Sequence, residues 1–468
     1  MSHSFRKVDE EVLRVLRELV GEEQVSVDRE VLEDHGHDET EDLSFPPEVV
    51  IRPGSTKEIS SVLAYANEQG VPVTPIGART GLSGGALSVH GGIGLSMSRF
   101  DRILNIDEKN LQATVQPGVI TQVFQEAVAE KGLMYPPDPA SRGSCFIGGN
   151  LAENSGGPRA VKYGVTSDFV LDLELVLPNG SVIRTGAQVL KNATGYDLTH
   201  LLVGSEGTLG IITEAVMKLV PHPQDDLLMF VPFSSPEKAC EAVASVFQEK
   251  VIPSALEFME RDMIDRSIEH IGEDPIGLGE EVQAVLLVEV DGNEREQLVK
   301  DCERIMEVME RHGSGELLFA EDAQQKEKLW KIRKVAGEAA KAGTIYKEED
   351  TVVPRYELPK LLKHVKALEE EFGFRSYSYG HAGDGNLHIN IVKAGLSEEQ
   401  WQNEIPKAVR RIFEYVRELG GTISGEHGIG HVQRPYVDIV FSEEQLRLFR
   451  GVKESFDPRG ILNPDKIF

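Results

Sequence analysis

The sequence predicts an α+β protein of two or three domains, and three observations carry that prediction. The chain has 468 residues, enough for more than one hydrophobic core. Its first half alternates short apolar strands with helices and interrupts them with three separate glycine-rich loops. Its second half, from Pro223, runs strand, helix, strand, helix, the pattern of a split β-α-β sandwich on one sheet.

The elements follow in order. Residues 9–20 read as an amphipathic helix with Val12, Leu13, Leu16 and Leu19 on one face. Asp34-His35-Gly36-His37-Asp38-Glu39 reads as a solvated acidic loop that could also bind a metal. Val49–Ile51 is a strand, and Ser55-Thr-Lys-Glu58 is a capping box opening a helix to Glu68, with Gly70 after it. Val71–Ile76 is a second strand and leads into Gly77-Ala-Arg-Thr-Gly81-Leu-Ser-Gly84-Gly85. Ile93–Met97 reads as a strand, so this loop is neither a Walker loop nor a dinucleotide fingerprint. Missing Cβ atoms there would still let backbone amides approach anionic oxygens.

The second cluster, from Pro136 through Gly143-Ser-Cys-Phe-Ile-Gly148-Gly149-Asn150 to Gly157, is too polar and flexible to be a core element. The third runs Val203-Gly204-Ser-Glu206-Gly207-Thr-Leu-Gly210-Ile211-Ile212. Between them Phe169–Leu177 and Ser181–Arg184 form a hairpin about Pro178-Asn-Gly180. Three such loops suggest a long ligand with a pyrophosphate at its middle. Beyond Pro223 come strands at Leu227–Phe233 and Val282–Val290, helices at Ser235–Lys250 and Asn293–His312, and one long helix at Asp322–Ala342. Helices at Tyr356–Phe372, Ser397–Leu419 and Ser442–Phe456 follow. No internal repeat is visible.

Composition narrows the class. Asp and Glu number 77 against 49 Lys and Arg, a net charge of −28, which disfavours nucleic acid and anionic membranes. No apolar run reaches the ~20 residues of a membrane span. The N-terminus lacks the marks of a signal or transit peptide, so a cytoplasmic protein, or one peripheral to the inner membrane, is expected. Three scattered cysteines make neither a disulfide framework nor an iron–sulfur ligand set.

Gly380-His381-Ala382-Gly383-Asp384-Gly385-Asn386-Leu387-His388 carries the chemistry. Its glycines argue against a helix. The following Leu387-His388-Ile389-Asn390-Ile391 alternates with period two, placing His388 and Asn390 on one face of a strand. With Glu426-His427 in another glycine-rich segment, His381 and His388 could form a His-His-carboxylate metal site.

In these loops, in Gly380–His388, in Gly425-Glu-His-Gly428 and in the Asn463-Pro-Asp-Lys466 tail, the chain resembles the FAD-linked oxidases of the vanillyl-alcohol oxidase type. Within them it is similar to the D-2-hydroxyacid dehydrogenase group (glycolate oxidase FAD subunit, D-lactate dehydrogenase, D-2-hydroxyglutarate dehydrogenase). The resemblance spans residues 45–468. It implies an N-terminal helical segment at 1–44 and a two-subdomain FAD-binding domain at 45–222. A ferredoxin-like substrate (cap) domain at 223–425 and a C-terminal segment at 426–468 returning to the flavin would follow.

Noncovalent FAD would be held first by Pro75 and the loop of Gly77, Ala78, Arg79, Thr80, Gly81, Leu82, Ser83 and Gly84. The second cluster would contribute Asp138, Ser141, Ser144, Gly148, Gly149, Asn150, Asn154, Ser155 and Gly156. Glu206, Gly207, Gly210, Ile211, Ile212 and Asn463 would complete the site. The resemblance also makes His381, His388 and Glu426 the ligands of a divalent metal (zinc, manganese or iron) and puts His427 beside the flavin.

The implied reaction oxidises a small D-2-hydroxy acid, D-lactate or glycolate before D-2-hydroxyglutarate, to the 2-oxo acid. A metal on the hydroxyl and carboxylate oxygens would orient the substrate and acidify the alcohol, with His427 as general base. Arg333 is the candidate clamp for the carboxylate, although Lys328, Lys331 and Lys334 around it resemble a solvated basic face. Lys347 and Asn390 are further candidates for substrate contact. Electrons would pass to an iron–sulfur subunit, an electron-transfer flavoprotein, a quinone or a cytochrome. The protein would act as a homodimer or as part of a complex. A metal-dependent hydrolase and a noncatalytic flavin-carrying subunit are the alternatives.

Overall fold

Caps and apolar faces set the local structure of the first unit. In the computed structural model, which describes residues 5–40, 43–274, 276–320 and 322–468, Ser55 caps the helix Thr56–Gln69 by accepting from the Glu58 amide at 3.3 Å, while Glu58 reaches back to the Gly54 amide at 2.8 Å. The N-terminal helix, Glu10–Val20, is capped by Asp9 and buries Val12, Leu13, Leu16 and Val20; Leu19, expected on that face, is only partly buried. Residues 1–4 and 41–42, within the expected N-terminal segment, lie outside the described residues.

Contacts divide the chain into two units. The first comprises Met1–Gly156, Val165–His222 and Glu426–Phe468. It holds a four-stranded sheet ordered Val25–Ser26, Val49–Ile51, Ile93–Ser96, Val73–Ile76. Its second sheet has five antiparallel strands, ordered Ile103–Asp107, Gln112–Val115, Ile211–Lys218, Val170–Val176, Val182–Arg184. Within this unit the C-terminal tail adds to the first sheet, since Leu462 bridges in parallel to Val73. The stretch expected to be too polar for a core element forms the helix Ile147–Glu153, because Ile147, Asn150 and Leu151 are buried one turn apart. Nor is His35 solvated: it is buried, with Nδ1 2.9 Å from the Val31 carbonyl.

The second unit comprises Gly157–Gly164 and Pro223–Gly425. Its sheet has seven antiparallel strands, ordered Leu318–Phe319, Asp225–Phe233, Ala284–Gly292, Ala255–Glu260, Arg375–Gly380, Asn386–Val392, Tyr346–Val352. Numbered along the chain, the first four strands lie 4-1-3-2, with the helices Pro236–Gln248 and Arg295–Arg311 in the two crossovers. That is the split β-α-β arrangement the sequence predicts.

The second half repeats it. Strands Tyr346–Val352, Arg375–Gly380 and Asn386–Val392 take the first three places. Thr422 and Ser424 bridge to Val352 and Asp350 where a fourth strand would lie. The repeat is one of topology, which is why no repeat shows in the residues. The halves join where Phe258 pairs with Gly380 and Met259 with Tyr379.

Two expected helices differ. Asp322–Ala342 is two helices, Ala323–Lys334 and Ala336–Lys341, broken at Val335. The helix expected over 397–419 begins with a π turn at Gln400–Glu404 before Ile405–Glu418, although Ser397 and Gln400 do form their reciprocal cap. Among the described residues no helix is long and apolar enough to cross a membrane.

Candidate functional site

In the first unit, the strand Val73–Ile76 opens directly into the loop at 77–85. A Cβ added at Gly81 or Gly149 would meet nothing within 4 Å, and one at Gly77 would meet only the Gly149 nitrogen at 3.9 Å. The amides of residues 77–83 donate to no acceptor among the described residues. Amides without a protein acceptor beside open space can receive an anion, so these residues fit a pyrophosphate-bearing cofactor.

Several expected cofactor residues also hold the framework. The Arg79 guanidinium, on a backbone with φ 63°, turns to the Asp34 carboxylate at 2.7 Å. Asn150 donates to Thr121 Oγ1 at 2.7 Å, and Asn154 accepts from the Ser167 amide at 2.8 Å. Ser144 donates to the Ser141 carbonyl. A Cβ at Gly148 would meet Pro117, one at Gly207 Pro75 and one at Gly210 Leu175, so these glycines allow close packing, while Ile211 lies in the core. Asn463 clasps two of the loops, donating to the carbonyls of Gly85 at 3.0 Å and Glu206 at 2.8 Å.

Glu206 organises the segment that contains Glu426 and His427, both half-buried. Its carboxylate accepts from the amides of Ile429 at 2.8 Å and Gly430 at 2.6 Å. Glu153 sits beside it, against Gly428 and Gly85. The Glu426 carboxylate lies against Gly156, where a Cβ would come within 2.9 Å of it.

Burial pushes the Glu206 carboxyl up to about 7 and Asp38 up to about 6. Burial and the charges of Glu206 and Asp38 raise Glu153 as well. A carboxyl whose pKa is higher folded than unfolded stabilises the fold while protonated. That contribution is complete below its ordinary value of 4.5 and is lost as pH rises through about 7. Burial brings the Lys466 amine down to about 8, so it opposes this trend only at the alkaline end. The contribution of Glu206 is therefore expected to fall between about pH 5 and pH 8, against the opposite trend of His35, His364 and His431, whose imidazoles burial holds below their ordinary value. Glu206→Gln should remove this component, so that melting temperature relative to the parent rises from pH 5 to pH 8; a constant difference between the two across that range would remove Glu206 as its origin.

In the second unit, the hairpin of Arg375–Gly380 and Asn386–Val392 turns through a short 3₁₀ segment, Ala382–Asp384. Gly385 closes the turn at φ +81°, where a Cβ would lie 1.9 Å from the Val353 carbonyl, so only glycine fits. His381 stands at the start of the turn, and His388 pairs across the strands with Tyr379. The two imidazoles meet edge to face with centroids 5.4 Å apart, and a ring nitrogen of each lies within 4.8 Å of the other. Both are buried, at 7% and 4% exposure.

Each has a carboxylate behind it. His381 Nδ1 lies 2.8 Å from Glu257 Oε2, and His388 Nδ1 lies 3.6 Å from Asp350 Oδ1. His381 thus has the carboxylate partner that metal-ligating imidazoles usually have, His388 has Asp350 only at ion-pair distance, and the donor set fits a divalent cation. Asp350 also accepts from Asn386 at 2.7 Å and from the Gly425 amide at 2.8 Å, fixing the residue just before Glu426 in the chain.

Arg333 does not share the solvated face of its neighbouring lysines. It is buried, with Nε 2.7 Å from Glu257 Oε2 and its guanidinium 4.9 Å from the Tyr379 ring centroid, while Lys328, Lys331 and Lys334 are exposed. Although burial would raise the Glu257 carboxyl, His381 and Arg333 hold it below its ordinary value. Asn390 is fully buried on the His388 face, and its carboxamide approaches the Tyr379 hydroxyl. Lys347 is not brought to this face. It pairs with Ile391, and its ammonium lies over Trp401 at 5.6 Å.

Residues 47–186 match a family described as FAD binding domain, and residues 222–467 match FAD linked oxidases, C-terminal domain. The chain belongs to the FAD-linked oxidases. This oxidase is 39% identical to a D-lactate dehydrogenase of Anaerostipes hadrus, over 99% of this chain and 98% of that one. It is 40% identical to glycolate oxidase subunit GlcD of Bacillus subtilis, over 93% and 92%. A D-2-hydroxyglutarate dehydrogenase of Stutzerimonas stutzeri is 32% identical, over 98% and 99%. Among solved structures, a p-cresol methylhydroxylase matches with a TM-score of 0.81 at 16% identity, over 99% of this chain and 98% of that one. A 4-ethylphenol oxidase from Gulosibacter chungangensis gives 0.79 at 20%, over 97% and 96%. The oxidase thus has the α+β fold of the vanillyl-alcohol oxidase type.

Three contributors escaped the sequence reading: Glu257, Asp350 and Tyr379. The signal for Glu257 was an acid in Ala255–Glu260, a strand buried at all six positions. A carboxylate there needs a cationic or protic partner.

Proposed function

We propose that this FAD-linked oxidase converts a small D-2-hydroxy acid to the 2-oxo acid, D-lactate or glycolate before D-2-hydroxyglutarate. The observation that carries it is the buried pair His381 and His388, with Glu257 hydrogen-bonded to the first and Asp350 near the second, beside a buried arginine, a pairing suited to a cation and an anion clamp. Relatives named for D-lactate, glycolate and D-2-hydroxyglutarate support the same substrate class.

The loop at 77–83, with residues 147–156, 204–212 and Asn463, would hold FAD; His381, His388 and Glu426 would hold the divalent metal. FAD would supply the hydride acceptor, and a metal held there would lower the pKa of the substrate alcohol. Arg333 binds the substrate carboxylate through the guanidinium nitrogens that Glu257 leaves available. Asn390 donates to a substrate oxygen, and His427 takes the hydroxyl proton as hydride leaves C2. Noncovalent binding is supported by His90, whose Nε2 is engaged by Asp465 at 2.8 Å. An external acceptor would take the electrons, since three scattered cysteines make no iron–sulfur ligand set. A metal hydrolase would leave the cradle at 77–83 without a use.

The test is a substrate panel (glycolate, D- and L-lactate, D-2-hydroxyglutarate) with a dye acceptor, before and after chelation. Chelation is expected to lower D-lactate oxidation by about tenfold or more, with recovery on adding Zn²⁺ or Mn²⁺. A purified protein that releases no FAD on heating, or a rate indifferent to complete metal removal, would overturn the corresponding part.

A further inference from the structure

Glu257 occupies an unusual place. It lies on a strand buried at every position, its side chain is 1% exposed, and both of its oxygens are used. Oε1 and Oε2 stand 2.9 and 2.8 Å from His381 Nδ1, and Oε2 stands 2.7 Å from Arg333 Nε. Arg333 Nη2 is itself 3.4 Å from His381 Nδ1. A buried carboxylate of this kind is costly unless its partners are well placed, so these positions constrain one another.

Two consequences follow from the hydrogen-bonding chemistry. An imidazole that donates from Nδ1 to a carboxylate carries its lone pair on Nε2, the nitrogen then available to a cation. An arginine ion-paired at Nε with a buried acid, its guanidinium over the Tyr379 ring, is restrained by both contacts and keeps its terminal nitrogens for a second anion.

We infer that Glu257 is a positioning residue that sets both the His381 tautomer and the direction of the Arg333 fork, coupling divalent-cation affinity to capture of the substrate carboxylate. This rests on the proposed assignment of His381 as a metal ligand and Arg333 as the clamp. Neither function needs Glu257 to touch cation or substrate.

The experiment is a calorimetric titration of metal-stripped, flavin-loaded protein with Zn²⁺, for the parent, Glu257→Gln, Glu257→Asp and His381→Ala. Glu257→Gln is expected to weaken Zn²⁺ binding by roughly 10–100-fold and to raise KM for D-lactate more than it lowers kcat. Glu257→Asp, which keeps the charge, should recover part of both. If Glu257→Gln fails to retain FAD, Glu257→Asp against the parent carries the comparison, with a smaller loss expected. Parent-like Zn²⁺ affinity in the Glu257 variants, alongside loss in His381→Ala, would overturn the positioning role and leave the metal site standing. A parent that binds no Zn²⁺, like His381→Ala, would overturn the metal site and this inference together.

Discussion

His427→Ala protein is expected to bleach its flavin with D-lactate about 100- to 10,000-fold more slowly than the parent, the usual worth of a positioned general base. Alcohol oxidation by hydride transfer strands a proton on the substrate oxygen unless a base takes it as the C–H bond breaks. His427 sits in a segment whose next residues are fixed, because Glu206 accepts from the amides of Ile429 and Gly430. A Cβ at Gly430 would lie 2.1 Å from the Ser83 carbonyl, so the chain there has little freedom. Losing the imidazole should therefore remove the base without displacing the backbone, and flavin content should match the parent. Anaerobic stopped-flow reduction measures the rate, and added imidazole should restore part of it. Bleaching as fast as the parent would end the assignment.

Arg333→Ala is expected to act on stability and on substrate binding at once. It leaves Glu257 buried with the two histidines but without its arginine, and breaking one side of a buried ion pair typically costs about 3–5 kcal/mol. Denaturant unfolding should show a loss of that order, and KM for D-lactate should rise by more than about tenfold, the loss of one charge-assisted pair. Arg333→Lys should not rescue KM, since an ammonium cannot hold Glu257 through one nitrogen and present a planar fork with the others. Replacing both partners, as in Arg333→Leu with Glu257→Leu, should return much of the stability but none of the substrate affinity. An Arg333→Ala protein with unchanged KM would show that the substrate carboxylate is held elsewhere.

Much of the fold was legible because its signals are local. The Ser55–Glu58 cap, the Pro178–Gly180 hairpin and the alternation through His388 and Asn390 each lie within a few residues, and each forms as the chain predicts. The helix at Ile147–Glu153 was missed because two glycines and an asparagine outweigh its few apolar residues. The break at Val335 was missed although β-branched Val335 and nearby Gly337 weaken the helix there, because the residues further out on both sides favour helix.

The sequence by itself determined that three glycine-rich loops could receive a large anionic cofactor. It also determined that His381 and His388 flank a tight turn rather than a helix, since the absence of Cβ atoms and the period-two pattern are properties of neighbouring residues. Only the tertiary structure decided that Arg333 is buried, that Lys347 faces away from His388, and that Glu257, 124 residues from His381 in the chain, is the group between the histidine and the arginine. Such pairings form when two half-sheets meet along the strands Ala255–Glu260 and Arg375–Gly380. Nothing in a carboxylate's immediate neighbours encodes which cation it will meet across a sheet.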